Sequence, residues 1–287
     1  MLGTIELGYL GPQGTFSEQA AVEFCAKNSL YKLQDFPSIP HVIRAVEKGE
    51  IKLGIVPVEN SIEGTVNITL DMLVHEVNLF IQGEIILDIN HCLLTRKGDV
   101  EIIRTIYSHP QALAQCRRFL YKNFPEASYL TTNSTAEAAQ IIKKCASGSA
   151  AIGSRWAAEK YGLDVYYENV SDYEINQTRF LIIGKKEFSF NKPQKTSLCV
   201  ALAKNKPGGL YEVLEEFARE QINLTKIESR PAKKELGNYL FFIDCLADLS
   251  GEHQHVLQRL KEKCKLVKVL GCYSTLKEAN ALGYQVK

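Results

Sequence analysis

Two polar clusters in this chain sit where an apolar run meets a turn, and their side chains suit hydrogen-bonding and acid chemistry. In the first, Val56-Pro57-Val58 breaks into Glu59-Asn60-Ser61; in the second, Asn176-Gln177-Thr178-Arg179 runs into Phe180 and an apolar strand. A carboxylate, carboxamides, hydroxyls and a guanidinium supply donors and acceptors for a small polar substrate, and the planar fork of Arg179 suits a carboxylate. The same residues also serve as ordinary strand ends, since threonine favours strands and Glu59-Asn60 favours a turn. Residue type alone leaves both readings open.

Three further stretches share one design. Thr15-x-x-Glu18, Ser108-x-x-Gln111 and Ser134-x-x-Glu137 each match a capping box, the signature of a helix start. Helix starts converging at the strand ends of an open sheet would present free N–H groups to a small anion with more than one negative group. Plain capping is the alternative. The turn Gly8 to Gly14 follows a strand but lacks G-x-G-x-x-G and carries Pro12, and no P-loop is present, so the chemistry is expected to need no cofactor. No metal site is expected either: the close pair His253-Gln254-His255 lies in a polar run. The eight cysteines are scattered without C-x-x-C spacing and read as reduced, small apolar side chains.

The bulk properties agree with a small-molecule partner. With 34 basic and 33 acidic side chains and a net charge of +1, no basic stripe marks a nucleic-acid binder. The opening run Met1 to Glu6 goes straight into a strand-like stretch with no room for a leader peptide, and no apolar run is long enough for a bilayer. A cytoplasmic protein without membrane partner is expected.

The elements that must position these residues are legible as period. From Ile5 to Ile183, strand-like runs at Ile5–Leu10, Leu53–Val58, Thr105–Ser108, Ser128–Thr131, Ala150–Gly153 and Phe180–Ile183 alternate with helical ones, which predicts α/β with largely parallel sheet. Ala138, Ile141, Ile142 and Cys145 fall on one helix face. The run Leu79 to Thr95 holds two extended segments with no helix between them and predicts passage into a second lobe, at about residues 80–165. A polar stretch from Gly184 to Lys195 reads as a linker. Beyond it, strand 197–202, helix 210–220, strands 224–229 and 239–247, helix 253–264 and strand 266–273 give a βαββαβ order, whose natural closure is ferredoxin-like. Leu210, Val213, Leu214, Phe217 and Ala218 line its first helix, and Gly237-Asn238 supplies turn chemistry.

Taken in chain order, Gly11-Pro12-Gln13-Gly14-Thr15-Phe16-Ser17-Glu18, Pro57 to Thr65 and Asn176-Gln177-Thr178-Arg179-Phe180 resemble the prephenate dehydratases over roughly Ile5 to Ile183. The C-terminal module resembles an ACT domain through Pro207-Gly208-Gly209-Leu210 and Glu228-Ser229-Arg230-Pro231, with Gly209 where that family usually has alanine. The resemblance implies a two-lobed, periplasmic-binding-protein-like catalytic domain over residues 1–185, an ACT regulatory domain over 196–275 and a tail over 276–287. It implies cofactor-independent loss of water and carbon dioxide from prephenate, with Thr178, Arg179 and Phe180 as catalytic residues. Thr15, Glu59, Asn60, Ser61, Ser108, Gln111, Asn133, Ser134 and Thr135 would hold the substrate. Gly208, Gly209, Leu210, Glu228, Ser229 and Arg230 would hold L-phenylalanine as effector, in a homodimer or dimer of dimers. With no chorismate mutase segment before Ile5, a monofunctional enzyme is expected. Rival readings are an arogenate dehydratase and a noncatalytic amino-acid sensor.

Overall fold

The structure is a computed structural model that describes residues 4–25, 31–98, 102–185, 193–204, 206–232 and 239–274. In chain order its elements are β1 (Ile5–Leu10), α1 (Phe16–Cys25), β2 (Tyr31–Phe36), α2 (Ile39–Lys48), β3 (Leu53–Asn60), β4 (Gly64–Thr65), α3 (Asn67–His75), β5 (Phe80–Asp88) and β6 (Cys92–Arg96). There follow β7 (Thr105–Ser108), α4 (Pro110–Gln115), α5 (Arg117–Asn123), β8 (Ser128–Thr131), α6 (Thr135–Ile142), β9 (Ser149–Gly153), α7 (Arg155–Tyr161), β10 (Leu163–Tyr167) and β11 (Gln177–Gly184). The last six are β12 (Lys195–Leu202), α8 (Gly209–Arg219), β13 (Leu224–Pro231), β14 (Tyr239–Cys245), α9 (Gln254–Lys263) and β15 (Cys264–Tyr273).

These strands form three sheets, ordered β2-β1-β3-β11-β5 with β4 on β3, β10-β6-β9-β7-β8, and β13-β14-β12-β15. Two compact units divide the described residues, one built from segments within 1–42, 55–67 and 86–180, the other from segments within 43–54, 68–85 and 181–287. In the first unit, β7 runs parallel to both β8 and β9, while β6 meets β9 and β10 antiparallel. Central β9 is buried almost throughout, as a strand covered on both faces must be, whereas edge strand β8 is largely exposed.

In the second unit, β12 pairs antiparallel with both β14 and β15, and β13 with β14. This is the ferredoxin-like closure predicted from the βαββαβ order. Helices α8 and α9 bring Val213, Phe217, Val256 and Leu260 onto Leu198, Val200 and Ile243. Edge strand β13 alternates half-buried and exposed residues, the period expected of a strand with one covered face.

Several expectations need correcting. The second lobe was placed at about 80–165, yet β5 joins the first sheet and the second sheet runs from Cys92 to Tyr167. Both β5 and β6 are extended and apolar, so nothing in that run marks which sheet either joins. Strands β2, β4 and β10 were not foreseen; β2 is an edge strand whose exposed Lys32, Gln34 and Asp35 dilute the apolar signal. Helix α6 stops at Ile142, leaving Cys145 outside it, and Ala218 is exposed while Glu216 is buried. The Gly237-Asn238 turn, the polar stretch after Lys185 up to Lys192 and the tail beyond Ser274 lie outside the described residues.

Glu216 is fully buried on α8 and accepts from Lys263 and Arg259, one turn apart on α9. Burial pushes its carboxyl up, but the bonds from Lys263 and Arg259 outweigh it and leave the group below its ordinary value of 4.5. A carboxylate whose pKa is depressed by folding lends stability above its unfolded value and loses it as pH falls through the folded one. Urea unfolding should therefore show stability falling as the solution is acidified below pH 4.5. At neutral pH, Glu216→Ala should cost about 2 kcal/mol, since both cations keep some access to water; a variant as stable as the parent would refute the clamp.

Candidate active site

Strand β3 ends in Glu59 and Asn60, and the chain reverses at once, so that Glu59 pairs with Thr65 and Asn60 with Gly64. Gly64 takes φ +80, a conformation that side chains with a Cβ rarely adopt. Inside this tight hairpin the Asn60 Oδ1 accepts the N–H groups of Ile62 (2.9 Å) and Glu63 (3.0 Å). The carboxamide oxygen is thus committed to the turn, which fixes where its NH2 points.

That NH2 faces the start of β11. It donates to Asn176 Oδ1 (2.8 Å), to the Gln177 carbonyl (3.1 Å) and to Thr178 Oγ1 (2.9 Å), two protons shared among three acceptors. Ser61 locks the same junction from the backbone side, its N–H donating to the Gln177 carbonyl (2.8 Å) and its Oγ accepting the Gln177 N–H (2.9 Å). Thr178 Oγ1 therefore receives a hydrogen bond and keeps its own proton to give. Arg179, only 11% exposed, pairs with Glu59 at 3.4 Å and so braces β11 against β3.

A second tier of amides continues from Asn176. Its Nδ2 donates to Gln115 Oε1 (3.0 Å), which also meets His91 Nε2 (3.0 Å), while Gln115 Nε2 donates to Glu63 Oε1 (2.9 Å). Gln111, one turn earlier on α4, donates to the other Glu63 oxygen at 3.3 Å. A carboxylate only accepts, so both glutamines must present NH2 to Glu63, and the Gln115 oxygen is left for Asn176 and His91. This makes Nε2 the protonated nitrogen of a neutral His91, whose burial holds its pKa down against the opposing Gln115 bond. Gln115, His91 and Glu63 were not foreseen; the i, i+4 spacing of Gln111 and Gln115 was the available signal, visible only once α4 is known to face this hairpin.

The three capping boxes fare unequally. Ser134 caps α6, accepting the Glu137 N–H (3.0 Å) while Glu137 accepts the Asn133 N–H (2.7 Å). Asn133 and Glu137, with His109, Pro110, Thr131, Thr132 and Ile141, line a cavity of about 420 Å³. Thr135 opens the helix half-buried beside it. Thr15 caps α1, but its hydroxyl is spent locally, donating to the Leu10 carbonyl (2.9 Å) and accepting the Glu18 N–H (3.2 Å). Ser108 is no cap: it is fully buried, and its Oγ donates to the Ile152 carbonyl (2.8 Å) across the sheet. The cap of α4 is His109, whose ring accepts the Gln111 N–H, with Pro110 opening the helix. The box misled because strand and helix are separated by one residue more than the motif assumes.

Glu18 of the first capping box is 4% exposed and, beyond a cap, gathers the Gly14 N–H (2.6 Å), the Trp156 indole N–H (2.8 Å) and the Lys160 ammonium (3.1 Å). Burial raises its pKa, yet these three donors leave it lowered, so it stays ionised and holds the Gly11 to Thr15 loop against α7. Phe180 is 2% exposed and packs in the core, where it anchors β11 directly after Thr178 and Arg179. The cysteines are free, and burial pushes the Cys199 and Cys245 thiols up to about 12, which keeps them protonated. Among the described residues no group of three His, Cys, Asp or Glu side chains is placed to hold a metal ion, and no helix is long and apolar enough to cross a membrane.

In the C-terminal module, Gly208 takes φ +81 at the start of α8 and Gly209 is buried behind it. A Cβ at Gly209 would lie 3.1 Å from Leu202 Cδ1, so alanine there would require that side chain to give way slightly. Leu210 packs half-buried against the module's core. Glu228 and Arg230 share the covered face of β13, but Ser229 points to the other face, so the three do not converge on one ligand. Arg230 pairs with Asp71 at 2.7 Å.

With this geometry in hand, residues 7–188 match the family model for prephenate dehydratase and residues 197–261 that for the ACT domain. A bifunctional chorismate mutase/prephenate dehydratase from Aquifex aeolicus is 42% identical over 270 residues, 94% of this chain and 73% of that protein. A prephenate dehydratase from Methanocaldococcus jannaschii is 41% identical over 269 residues, 92% of this chain and 96% of that protein. The crystal structure of prephenate dehydratase from Arthrobacter aurescens in complex with L-Phe superposes with a TM-score of 0.84 at 32% identity, over 94% of this chain and 90% of that one. The α/β class with its ferredoxin-like C-terminal module is the one those relatives carry, and the chain belongs to the prephenate dehydratase family, with an ACT domain following the catalytic one.

Proposed function

We propose that this chain converts prephenate to phenylpyruvate, carbon dioxide and water, and that L-phenylalanine restrains it through the ACT domain. The observation that carries the first half is the Asn60 amide seated on the Thr178 oxygen, which leaves a polarised hydroxyl with one proton to give. In the reaction the bond from the ring to its carboxylate breaks, its electron pair completes the aromatic ring, and the ring hydroxyl departs with a proton as water. Charge grows on the departing oxygen only as that bond lengthens, so a donor fixed beforehand lowers the barrier without tightening substrate binding. Threonine is a weak acid; Thr178 polarises and orients the leaving oxygen as much as it protonates it.

Asn60 is a positioning residue in this scheme, and Arg179 orders β11 through Glu59. The start of α6, with Asn133, Ser134 and Thr135 beside the cavity, is suited to one substrate carboxylate. For regulation, we assign the amino acid to the turn Gly208 to Leu210 and to Glu228 of the ACT domain. The protein works in the cytoplasm as a homodimer or a dimer of dimers.

Purified protein should release phenylpyruvate from prephenate and slow when phenylalanine is added; turnover of arogenate alone would move the assignment to the amino substrate, and turnover of neither would leave a sensor. Thr178→Ala should lower kcat by about 10² to 10⁴ while KM stays near that of the parent. Unchanged kcat would remove Thr178 from the mechanism. Asn60→Ala should reduce kcat by about 10 to 100 with little change in KM, because it disorients a donor used in the transition state; a rise in KM with kcat intact would make Asn60 a substrate ligand instead.

A further inference from the structure

Three contacts made by the ACT strands fall on the segment that follows the Asn60 hairpin. Arg230 on β13 pairs with Asp71 on α3 at 2.7 Å, both side chains only 15% exposed. On β15, the Lys268 ammonium donates to the carbonyls of Leu73 (2.7 Å) and Val74 (3.2 Å), in the last turn of α3 where carbonyls lack helical partners, and to that of Val77 (3.2 Å) just beyond the helix. Gly271, also on β15, lies so close to β5 that a Cβ there would sit 2.2 Å from the Ile81 carbonyl oxygen. The ACT strands thus grip α3 at its middle and its end, and the strand after it by backbone contact.

We propose that the Arg230–Asp71 pair, with Lys268 on the α3 C-terminus, is the transmission contact through which the state of the ACT domain reaches the catalytic hairpin. Arg230 stands in the stretch expected to bind the effector, yet its charge is already matched within the protein. Its partner Asp71 sits on a nine-residue helix that begins at Asn67, two residues after the hairpin strand β4 ends. A helix of this length moves as a rigid piece. A displacement of β13 when ligand binds beside it is therefore delivered to the turn whose N–H groups orient Asn60, and Asn60 in turn holds Thr178 at 2.9 Å. Coupling between two sites requires one element that both bias, and α3 is joined to the ACT strands by charge and to the hairpin by the chain itself.

This proposal rests on the reading above that phenylalanine inhibits prephenate turnover, and the wild-type protein tests that reading by itself. The variants are Asp71→Asn, which removes the charge at constant shape, and Lys268→Met, which removes the ammonium and keeps the stem. Each is assayed for prephenate turnover with and without saturating phenylalanine, and for phenylalanine affinity by calorimetry on the full chain. Turnover without phenylalanine and the phenylalanine Kd should each stay within about threefold of wild type, while inhibition of about fivefold or more in wild type falls below about twofold. Inhibition retained in full by both variants would overturn the proposal, as would loss of phenylalanine binding in step with inhibition, which would make these residues part of the effector site. If Asp71→Asn fails to fold, Lys268→Met carries the same two readouts.

Discussion

The site depends on one carboxamide whose two ends cannot be exchanged. Asn60 Oδ1 is consumed by the N–H groups of its own turn, so the NH2 must face β11, and the hydroxyl of Thr178 can only accept there and donate elsewhere. The same polarity is imposed from the far end, where Glu63 can only accept and so turns Gln115, and through it Asn176, in the matching direction. Had either end been ambiguous, the chain of amides could run in two senses and Thr178 would lose its fixed role. A run of amides whose donors and acceptors are matched from Glu63 to Thr178 is rigid, and rigidity before substrate arrives is what an electrostatic catalyst needs.

Much of this was legible in the sequence because the relevant residues carry their own local geometry. Glu59-Asn60-Ser61 after an apolar strand marks a chain reversal, which comes one step later than read, since Glu59 and Asn60 still pair as strand and the turn begins at Ser61; Thr178-Arg179 before Phe180 reads as a strand entrance and lies at the start of β11. The βαββαβ order of the C-terminal module follows from period alone. What could not be read is side-chain direction across long sequence separations: Thr178 is 118 positions beyond Asn60, and nothing in either stretch says that the amide of one meets the hydroxyl of the other. Ser108 shows the converse failure. Its motif was sound as a local pattern, but the hydroxyl found a carbonyl on β9, 44 residues away, and a neighbouring histidine took over the cap.

Buried charge follows the same logic of committed partners. Glu84 and Lys195, 1% and 8% exposed, meet at 3.0 Å, and Glu18 gathers four donors, from Tyr9, Gly14, Trp156 and Lys160. Ion pairs so buried add little net stability, because desolvation offsets most of their attraction, but each tolerates only one partner geometry. Glu18 fixes a loop against a helix within the first unit, and Glu84 with Lys195 fixes β12 to β5 within the second. Apolar contacts alone would leave sliding registers; these pairs choose one.

The role proposed for Thr178, a neutral hydroxyl beside the leaving group, then has a reason in the chemistry. One carboxylate of prephenate must lose its charge as carbon dioxide, so a cation placed firmly on it would stabilise the starting state more than the transition state and slow its departure. The guanidinium nearest in sequence, Arg179, is paired with Glu59 and so is not presented as a bare positive charge. The departing oxygen, by contrast, gains charge during the reaction, and there a donor of modest acidity, polarised by the Asn60 amide, is favourable. With Thr178 in the role proposed for it, the two demands are separated: charge is neutralised inside the scaffold, and the donor to the leaving oxygen is one whose interaction strengthens only as that bond breaks.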